Sequence, residues 1–114
     1  MTPTYEKQFS FQVVIRGKGG HGSRPANCIN PVDCFAALHG ALKAAADAIR
    51  PSALKFTAVD GASKPNTIRD EMSFTATFFC DTQEQADRFA ARLPEIVDAS
   101  CAAYRCQGSV VSPA

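Results

Sequence analysis

The sequence predicts an α+β fold, with two amphipathic helices on one face of a four-stranded antiparallel sheet. Apolar residues alternate with polar ones in some segments, which is typical of half-buried strands, and recur every three or four residues in others, which is typical of amphipathic helices. The segments follow the order strand, helix, strand, strand, helix, strand. That order favours a ferredoxin-like sandwich, because each helix returns the chain to a strand beside its predecessor. Residues 1–114 are assigned to this single domain, since the chain is too short for a second one of ordinary size.

The first strand is predicted between Phe9 and Ile15, where apolar residues fall at every second position. The next segment, GKGGHGSRPANCIN, is rich in Gly, Ser, Pro and Asn and has no periodicity, so we expect an irregular loop. Three further strands are predicted at residues 53–59, from about Thr67 to Cys80, and at residues 109–111, with the loop DGASKPN before the longest of them.

The first helix is predicted to begin with Asn30 as its N-cap and Pro31 at the first helical position, and to end near Arg50. Thr82 and Gln85 have the spacing of a capping box, which predicts the start of the second helix. Pro94 lies inside that helix and is expected to kink it or split it in two. The apolar stripes of the two helices are Val32, Phe35, Leu38, Leu42, Ala45 and Ile49, and Ala86, Phe89, Leu93, Ile96, Val97 and Tyr104.

Charge and cysteine content narrow the classes of partner. The 12 Lys and Arg residues nearly balance the 11 Asp and Glu residues, so neither nucleic acid nor a membrane surface is expected as a partner. No stretch approaches the roughly twenty apolar residues that a membrane helix needs. The five cysteines form no C-x-x-C pair, which favours free thiols in a reducing compartment and predicts a cytoplasmic protein.

The glycine-rich segment formally satisfies G-x-G-x-x-G through Gly17, Gly19 and Gly22. A dinucleotide loop needs a helix N-terminus directly after its glycines, whereas here SRPANCIN intervenes. The favoured interpretation is a glycine loop that needs positive φ angles or a close approach of the backbone.

His21 is the candidate catalytic residue, because the glycines around it leave an imidazole on a flexible arm that can stabilise a developing oxyanion. On the residues alone, however, an ordinary exposed loop histidine is the favoured interpretation, because one histidine does not make a site. His39 falls at the edge of the first helical stripe and is interpreted as a packing residue. No ligand spacing typical of a metal site and no G-x-S-x-G elbow is present, so the isolated chain is expected to hold no metal and to be inactive.

Asn66 precedes the long strand, where capping of local backbone by its amide is the default interpretation and binding of a substrate carbonyl or carboxylate is the alternative. Arg24 and Arg69 are able to attract an anionic substrate, although surface arginines rarely have so specific a role.

Two segments together, FQVVIRGKGGHGSRPANCINPVD and GASKPNTIRDE, resemble the lid domain of M20 peptidases, and most of all its aminoacylase and hippurate-hydrolase-like amidohydrolases. The resemblance covers nearly the whole chain, and G-K-G-G-H-G-S-x-P followed by N-P is its specific part. It implies a lid inserted into a larger catalytic domain that binds one or two divalent metals, usually zinc, and hydrolyses an amide of an N-acyl amino acid or small peptide.

By the same resemblance, His21 reaches across a homodimer to stabilise the oxyanion in the partner's active site, and Asn66 contacts substrate. The sheets and first helices of two lids are implied to join at the dimer interface. The metal and the general-base glutamate are implied to belong to the missing catalytic domain.

Two departures from the family pattern bear on the substrate. Arg69 stands where the family often has the proline of N-x-I-P, and Phe79 stands where many members have an arginine that pairs with a carboxylate. The competing interpretation is a stand-alone ferredoxin-like module that binds a small ligand or forms oligomers without catalysis. Metal-ligand motifs encoded on both sides of the chain would favour the lid, whereas stop codons would favour the module.

Overall fold

The computed structural model of the protein describes residues 4–21, 28–61 and 67–111. Within these ranges the chain forms six strands and two helices. In order they are β1 (Lys7–Arg16), β2 (Gly20–His21), α1 (Pro31–Asp47), β3 (Ser52–Asp60), β4 (Thr67–Ile68), β5 (Glu71–Cys80), α2 (Gln83–Ala103) and β6 (Gln107–Val111).

Four of the strands form an antiparallel sheet in the order β3, β5, β1, β6, and β2 pairs separately with β4. The central pair is regular, since β1 and β5 stay in register from Lys7 opposite Cys80 to Arg16 opposite Glu71. Both helices pack on one face of the sheet, because the alternating apolar residues of β1 and β5 are buried on that side. The predicted α+β, ferredoxin-like fold is confirmed.

Aromatic rings fill much of the space between sheet and helices. Phe78 of β5 stacks on Phe89 of α2, with ring centroids 4.2 Å apart and ring planes 4° from parallel. Near the other helix, His39 stacks on Phe56 at 4.3 Å and also meets Phe35 edge-on. His39 is therefore a packing residue, as its place beside the helical stripe indicated. Burying each phenylalanine contributes about 1.5–3 kcal/mol, so these contacts fix how α1 and α2 lie on the sheet.

Both helix starts form as their capping residues predict. The Asn30 side chain accepts a hydrogen bond from the Val32 N–H at 3.0 Å. At α2 the Thr82 side chain accepts from the Gln85 N–H at 3.2 Å, while the Gln85 Oε1 accepts from the Thr82 N–H at 3.0 Å. The same glutamine donates to the carbonyls of Ile49 and Pro51 at 2.8 and 3.0 Å, which connects the start of α2 to the end of α1.

The structure corrects three expectations. Of the two outcomes predicted at Pro94, the split does not occur, since α2 runs through Pro94 on its exposed side, where water can satisfy a carbonyl that loses its N–H partner. The strand predicted from Thr67 to Cys80 is divided into β4 and β5, because Arg69 and Asp70 leave the ladder. The glycine segment is not irregular throughout, since Gly20–His21 forms a strand. Neither described helix is long and apolar enough to cross a membrane.

The strand β3 forms one edge of the sheet and carries an irregularity. Its register with β5 shifts between Phe56 and Ala58, so Thr57 is an extra residue. The Thr57 hydroxyl donates to the Thr75 carbonyl at 3.2 Å, which keeps the bulge attached to the neighbouring strand.

Candidate active-site ladder

The predicted catalytic histidine lies in the short ladder that β2 and β4 form beside the main sheet. Gly20 pairs with Ile68, and His21 pairs with Thr67. Thr67 directly follows Asn66, the predicted substrate-binding residue, which lies outside the described residues, as does Arg24. The ladder therefore places the backbone of His21 opposite the residue next to Asn66.

Close backbone contact explains the glycines that precede His21. A Cβ atom added to Gly17 would lie 2.1 Å from the carbonyl oxygen of Ile29, and one added to Gly19 would lie 2.3 Å from that of Ile68. No described glycine has a positive φ angle, so of the two reasons considered for this loop, close approach is the one that applies. The segment thus lies between two neighbouring stretches of backbone that leave no room for side chains at these positions.

Asp70 binds the same segment through two different atoms. Its carbonyl oxygen accepts a hydrogen bond from the Gly17 N–H at 2.7 Å. Its carboxylate Oδ1 accepts one from the Gly19 N–H at 2.8 Å. A carboxylate acceptor makes the second bond charge-assisted and hence stronger than a neutral one.

On its other side the segment pairs with the residues that lead into α1. The Lys18 N–H donates to the Ile29 carbonyl at 2.7 Å, and the Ile29 N–H donates back to the Lys18 carbonyl at 2.8 Å. Alternate residues therefore bond to opposite neighbours, with Gly17 and Gly19 facing Asp70 and Lys18 facing Ile29. This alternation holds the backbone just before His21 on both sides.

Arg69 stands at the proline position of the pattern N-x-I-P, and its guanidinium is paired with a carboxylate. Its Nη1 lies 2.8 Å from Oδ1 of Asp60, and the Arg69 side chain is 32% exposed. The ion pair connects the end of β3 to the stretch between β4 and β5. Part of the charge that sequence reasoning placed near the substrate end is therefore balanced within the chain. Phe79 lies near the end of β5 that is far from the ladder of β2 and β4, and its ring centroid is 6.2 Å from that of Tyr5.

Sequence reasoning missed Asp70 and Asp60. Asp60 opens the predicted loop DGASKPN and Asp70 lies within the predicted long strand, and nothing in their spacing indicates which backbone they approach. Only the pairing of β2 with β4, two elements far apart in sequence, brings Asp70 to Gly19.

Three cysteine side chains form a cluster between the helices, away from the ladder of β2 and β4. The sulfur atoms of Cys34 in α1 and Cys101 in α2 lie 3.6 Å apart, and Cys106 is buried beside them. Burial raises the pKa of all three thiols, and for Cys34 the neighbouring thiols raise it further. No disulfide joins the five cysteines. These thiols are kept protonated and are poor nucleophiles, which suits a role in packing.

A metal site does not form from the side chains that the structure describes. Within residues 4–21, 28–61 and 67–111, no three His, Cys, Asp or Glu residues come together in a way that could hold an ion. An apolar groove of about 490 Å³ lies between β1 and α2, lined by Phe9, Phe11, Leu93 and Pro94 among others. Neither β2 nor β4 contributes a residue to it.

The sequence model of the peptidase dimerisation domain of the M20 family matches residues 7–105, which is most of the chain. The chain belongs to this family. Among curated proteins, the M20 dimerisation domain resembles thermostable carboxypeptidases 2 and 1 of Saccharolobus solfataricus, with 26% and 25% identity over 99 residues. Each match covers 83% of this chain and 25% of the carboxypeptidase. The domain therefore spans about a quarter of the length of the curated relatives it matches.

Solved structures share the fold of this M20 dimerisation domain at low sequence identity. A hydantoinase/carbamoylase family amidase from Burkholderia ambifaria superposes with a TM-score of 0.86 at 15% identity, covering 94% of this chain and 27% of the amidase. A tripeptidase from Staphylococcus aureus gives 0.81 at 16% identity, covering 93% of this chain and 28% of the tripeptidase. In both, the matching part is a minor portion of a longer polypeptide.

Proposed function

We propose that this domain is the lid of a longer, metal-dependent amidohydrolase or peptidase that cleaves amide bonds of N-acyl amino acids or small peptides. In this proposal His21 stabilises the oxyanion in the active site of the partner subunit, and Asn66 binds substrate. The observation that carries it is the pairing of His21 with Thr67, within a domain whose relatives include carboxypeptidases.

The remainder of the parent would hold the divalent metal, which would activate a bound water as the nucleophile. This chain's contribution is different. An imidazole positioned near a developing negative charge donates a hydrogen bond that is stronger in the transition state than in the ground state. The rigid backbone around Gly17 and Gly19 supports this role, because oxyanion donors are effective only when they are held in place before the reaction.

The first experiment compares the full-length parent with its His21→Ala variant on N-acyl amino acids and dipeptides, with zinc, manganese or cobalt. We expect kcat to fall by about two to three powers of ten with little change in KM. Lys18→Ala is the matched control, because Lys18 is exposed and binds Ile29 through its main chain, which the substitution keeps. Equal activity of wild type and His21→Ala would contradict the proposal.

Action across the dimer is tested with mixed subunits. One subunit carries His21→Ala with an intact catalytic domain, and the other carries wild-type His21 with an inactivated catalytic domain. Since each mixed dimer restores one complete site only if His21 acts on the partner, a 1:1 mixture should recover about a quarter of wild-type activity. No recovery despite exchange of subunits would assign His21 to its own subunit.

The dimer interface is proposed at α1 and the edge strand β3. Ala36, Gly40 and Ala44 are exposed at four-residue spacing, so they lie along one side of α1 and allow a second helix to approach closely. A Cβ atom at Gly40 would meet nothing within 4 Å. The edge of β3 next to this helix offers backbone groups that a twofold-related strand can pair with.

Gly40→Arg in the full-length parent should place a bulky charge in that interface and shift sedimentation toward the monomer. Ala99→Arg on the exposed side of α2 is the matched control and should leave the dimer intact. If His21 acts across the dimer, Gly40→Arg should lower kcat at protein concentrations where the monomer prevails. A dimer that persists with Gly40→Arg would exclude α1 from the interface.

A further inference from the structure

The backbone that leads to His21 is held by hydrogen bonds to Ile29 and to Asp70, and Asp70 lies outside the hydrophobic core. Gly17, Gly19 and Gly20 have no side chains to restrict their conformations, so the segment before His21 is intrinsically permissive. Its order must come from hydrogen bonds to its neighbours. One of these bonds has a side chain as its acceptor: the Gly19 N–H donates to the Asp70 carboxylate at 2.8 Å.

We propose that Asp70 is a positioning residue, which acts on the reaction by fixing the backbone that carries His21. This inference rests on the catalytic role proposed for His21. Asp70 lies between β4, which pairs with His21, and β5, which is a central strand of the main sheet. Its two hydrogen bonds therefore connect the permissive glycine segment to the most regular part of the domain.

The two bonds respond differently to substitution. The bond from Gly17 to the Asp70 carbonyl involves only main-chain atoms and survives any side chain at position 70 except where the backbone itself moves. The bond from Gly19 requires a side-chain acceptor. Asp70→Ala thus releases Gly19 while leaving Gly17 bound, whereas D70N would keep an amide oxygen in the acceptor position.

A general effect on stability is not expected from these substitutions. Asp70 is exposed and is not part of the hydrophobic core, so removing its carboxylate opens no cavity. Glu71 provides a matched control at the next position. Its carboxylate pairs with Arg16 at 3.3 Å on an exposed part of the sheet, so Glu71→Ala removes the same charge without releasing Gly19.

The kinetic test uses the full-length parent. We expect Asp70→Ala to lower kcat about tenfold with little change in KM, because a loosely held group loses orientation rather than substrate affinity. D70N should retain most of the wild-type kcat, and Glu71→Ala should match wild type. The double variant His21→Ala/Asp70→Ala should be no slower than His21→Ala alone, since a positioning residue acts only through the residue it positions. Multiplying effects, or a D70N variant as slow as Asp70→Ala, would overturn the inference.

A second measurement separates this inference from the proposed function. Amide hydrogen exchange in the 114-residue chain should become faster at Gly19, Gly20 and His21 in Asp70→Ala, but not in Glu71→Ala. Unchanged exchange overturns the positioning role whatever the kinetics show. Faster exchange together with a fully active His21→Ala parent supports the link from Asp70 to His21 and overturns the proposed function of His21 instead.

Discussion

Gly19 and Ile68 approach so closely that a Cβ atom on the glycine would lie 2.3 Å from the isoleucine carbonyl oxygen. The other nearby atoms are also backbone, with the Asp70 nitrogen at 2.7 Å, so no side-chain rotation can relieve the contact. The identity of this glycine is therefore fixed by the path of its neighbour. A substitution of Gly19 therefore tests the geometry of the β2–β4 ladder directly.

Gly19→Ala should separate β2 from β4 and lower the free energy of unfolding by about 1–3 kcal/mol, the usual cost of forcing extra atoms into filled space. Chemical denaturation of the 114-residue chain measures the effect. Gly61→Ala is the matched control, because its Cβ atom would come no closer than 3.4 Å to the Met72 side chain, which is an ordinary van der Waals contact. Gly61→Ala should therefore be nearly neutral, and a loss equal to that of Gly19→Ala would contradict the geometry of the β2–β4 ladder.

Gln85→Glu should destabilise the protein, although glutamate is a common residue at this position of a capping box. The glutamine amide donates to the carbonyls of Ile49 and Pro51, whereas a carboxylate would place negative charge against the same two oxygens. The expected loss is about 1–3 kcal/mol, the cost of leaving buried or partly buried polar groups unsatisfied. Gln83→Glu, on the exposed first turn of α2, is the control and should cost no more than about 0.5 kcal/mol, because the like-charge pair it forms with Asp87 is exposed and the added charge lies near the helix N-terminus. A stable Gln85→Glu variant would show that the contact with the end of α1 contributes little.

The buried thiols should make the protein less stable at alkaline pH. Burial raises the pKa of Cys34, Cys101 and Cys106 above the ordinary value of 9.0, so above that pH the unfolded chain releases protons that the folded chain keeps. The unfolded state then binds fewer protons, and each such thiol lowers the free energy of unfolding by about 1.4 kcal/mol per pH unit until its folded-state pKa is reached.

Denaturation of wild type, Cys34→Ala and Cys28→Ala between about pH 7 and pH 10.5 tests this linkage. Cys34→Ala is less stable at neutral pH because a buried side chain is shortened, but its stability should fall less steeply above pH 9.0. Cys28→Ala keeps the buried cluster and should fall as steeply as wild type. Parallel curves for all three proteins would contradict the assignment of alkaline destabilisation to the cluster.

Pro94→Ala should stabilise the protein. Pro94 lies in an uninterrupted helix on its exposed side, where it removes one backbone hydrogen bond and alanine would restore it. The gain should reach about 1–3 kcal/mol in thermal or chemical unfolding, within the difference between proline and alanine in helix interiors. Ala91→Pro, a substitution in the same exposed region, should have the reverse effect. A destabilised Pro94→Ala variant would indicate that the ring makes a packing contact of its own.

The sequence was sufficient for the elements whose signals are local. The alternation from Phe9 to Ile15 and the capping box of Thr82 and Gln85 act within one element, and the structure has both where they were predicted. The ladder of β2 with β4 was not foreseen, because each strand is two residues long and gives no periodicity. The same holds for Asp70, whose role depends on contact with a segment 51 residues earlier. The role of His21 and of Asn66 stays a prediction.

The bulge at Thr57 interrupts the regular pairing of the edge strand β3 between Phe56 and Ala58, and a bulge bends and twists the strand that carries it. A long, flat edge invites open-ended addition of strands and the growth of fibrils, whereas a short, twisted one can join a single symmetric neighbour. The irregularity at Thr57 therefore leaves an edge that can pair with one symmetric strand and that is a poor template for fibril growth.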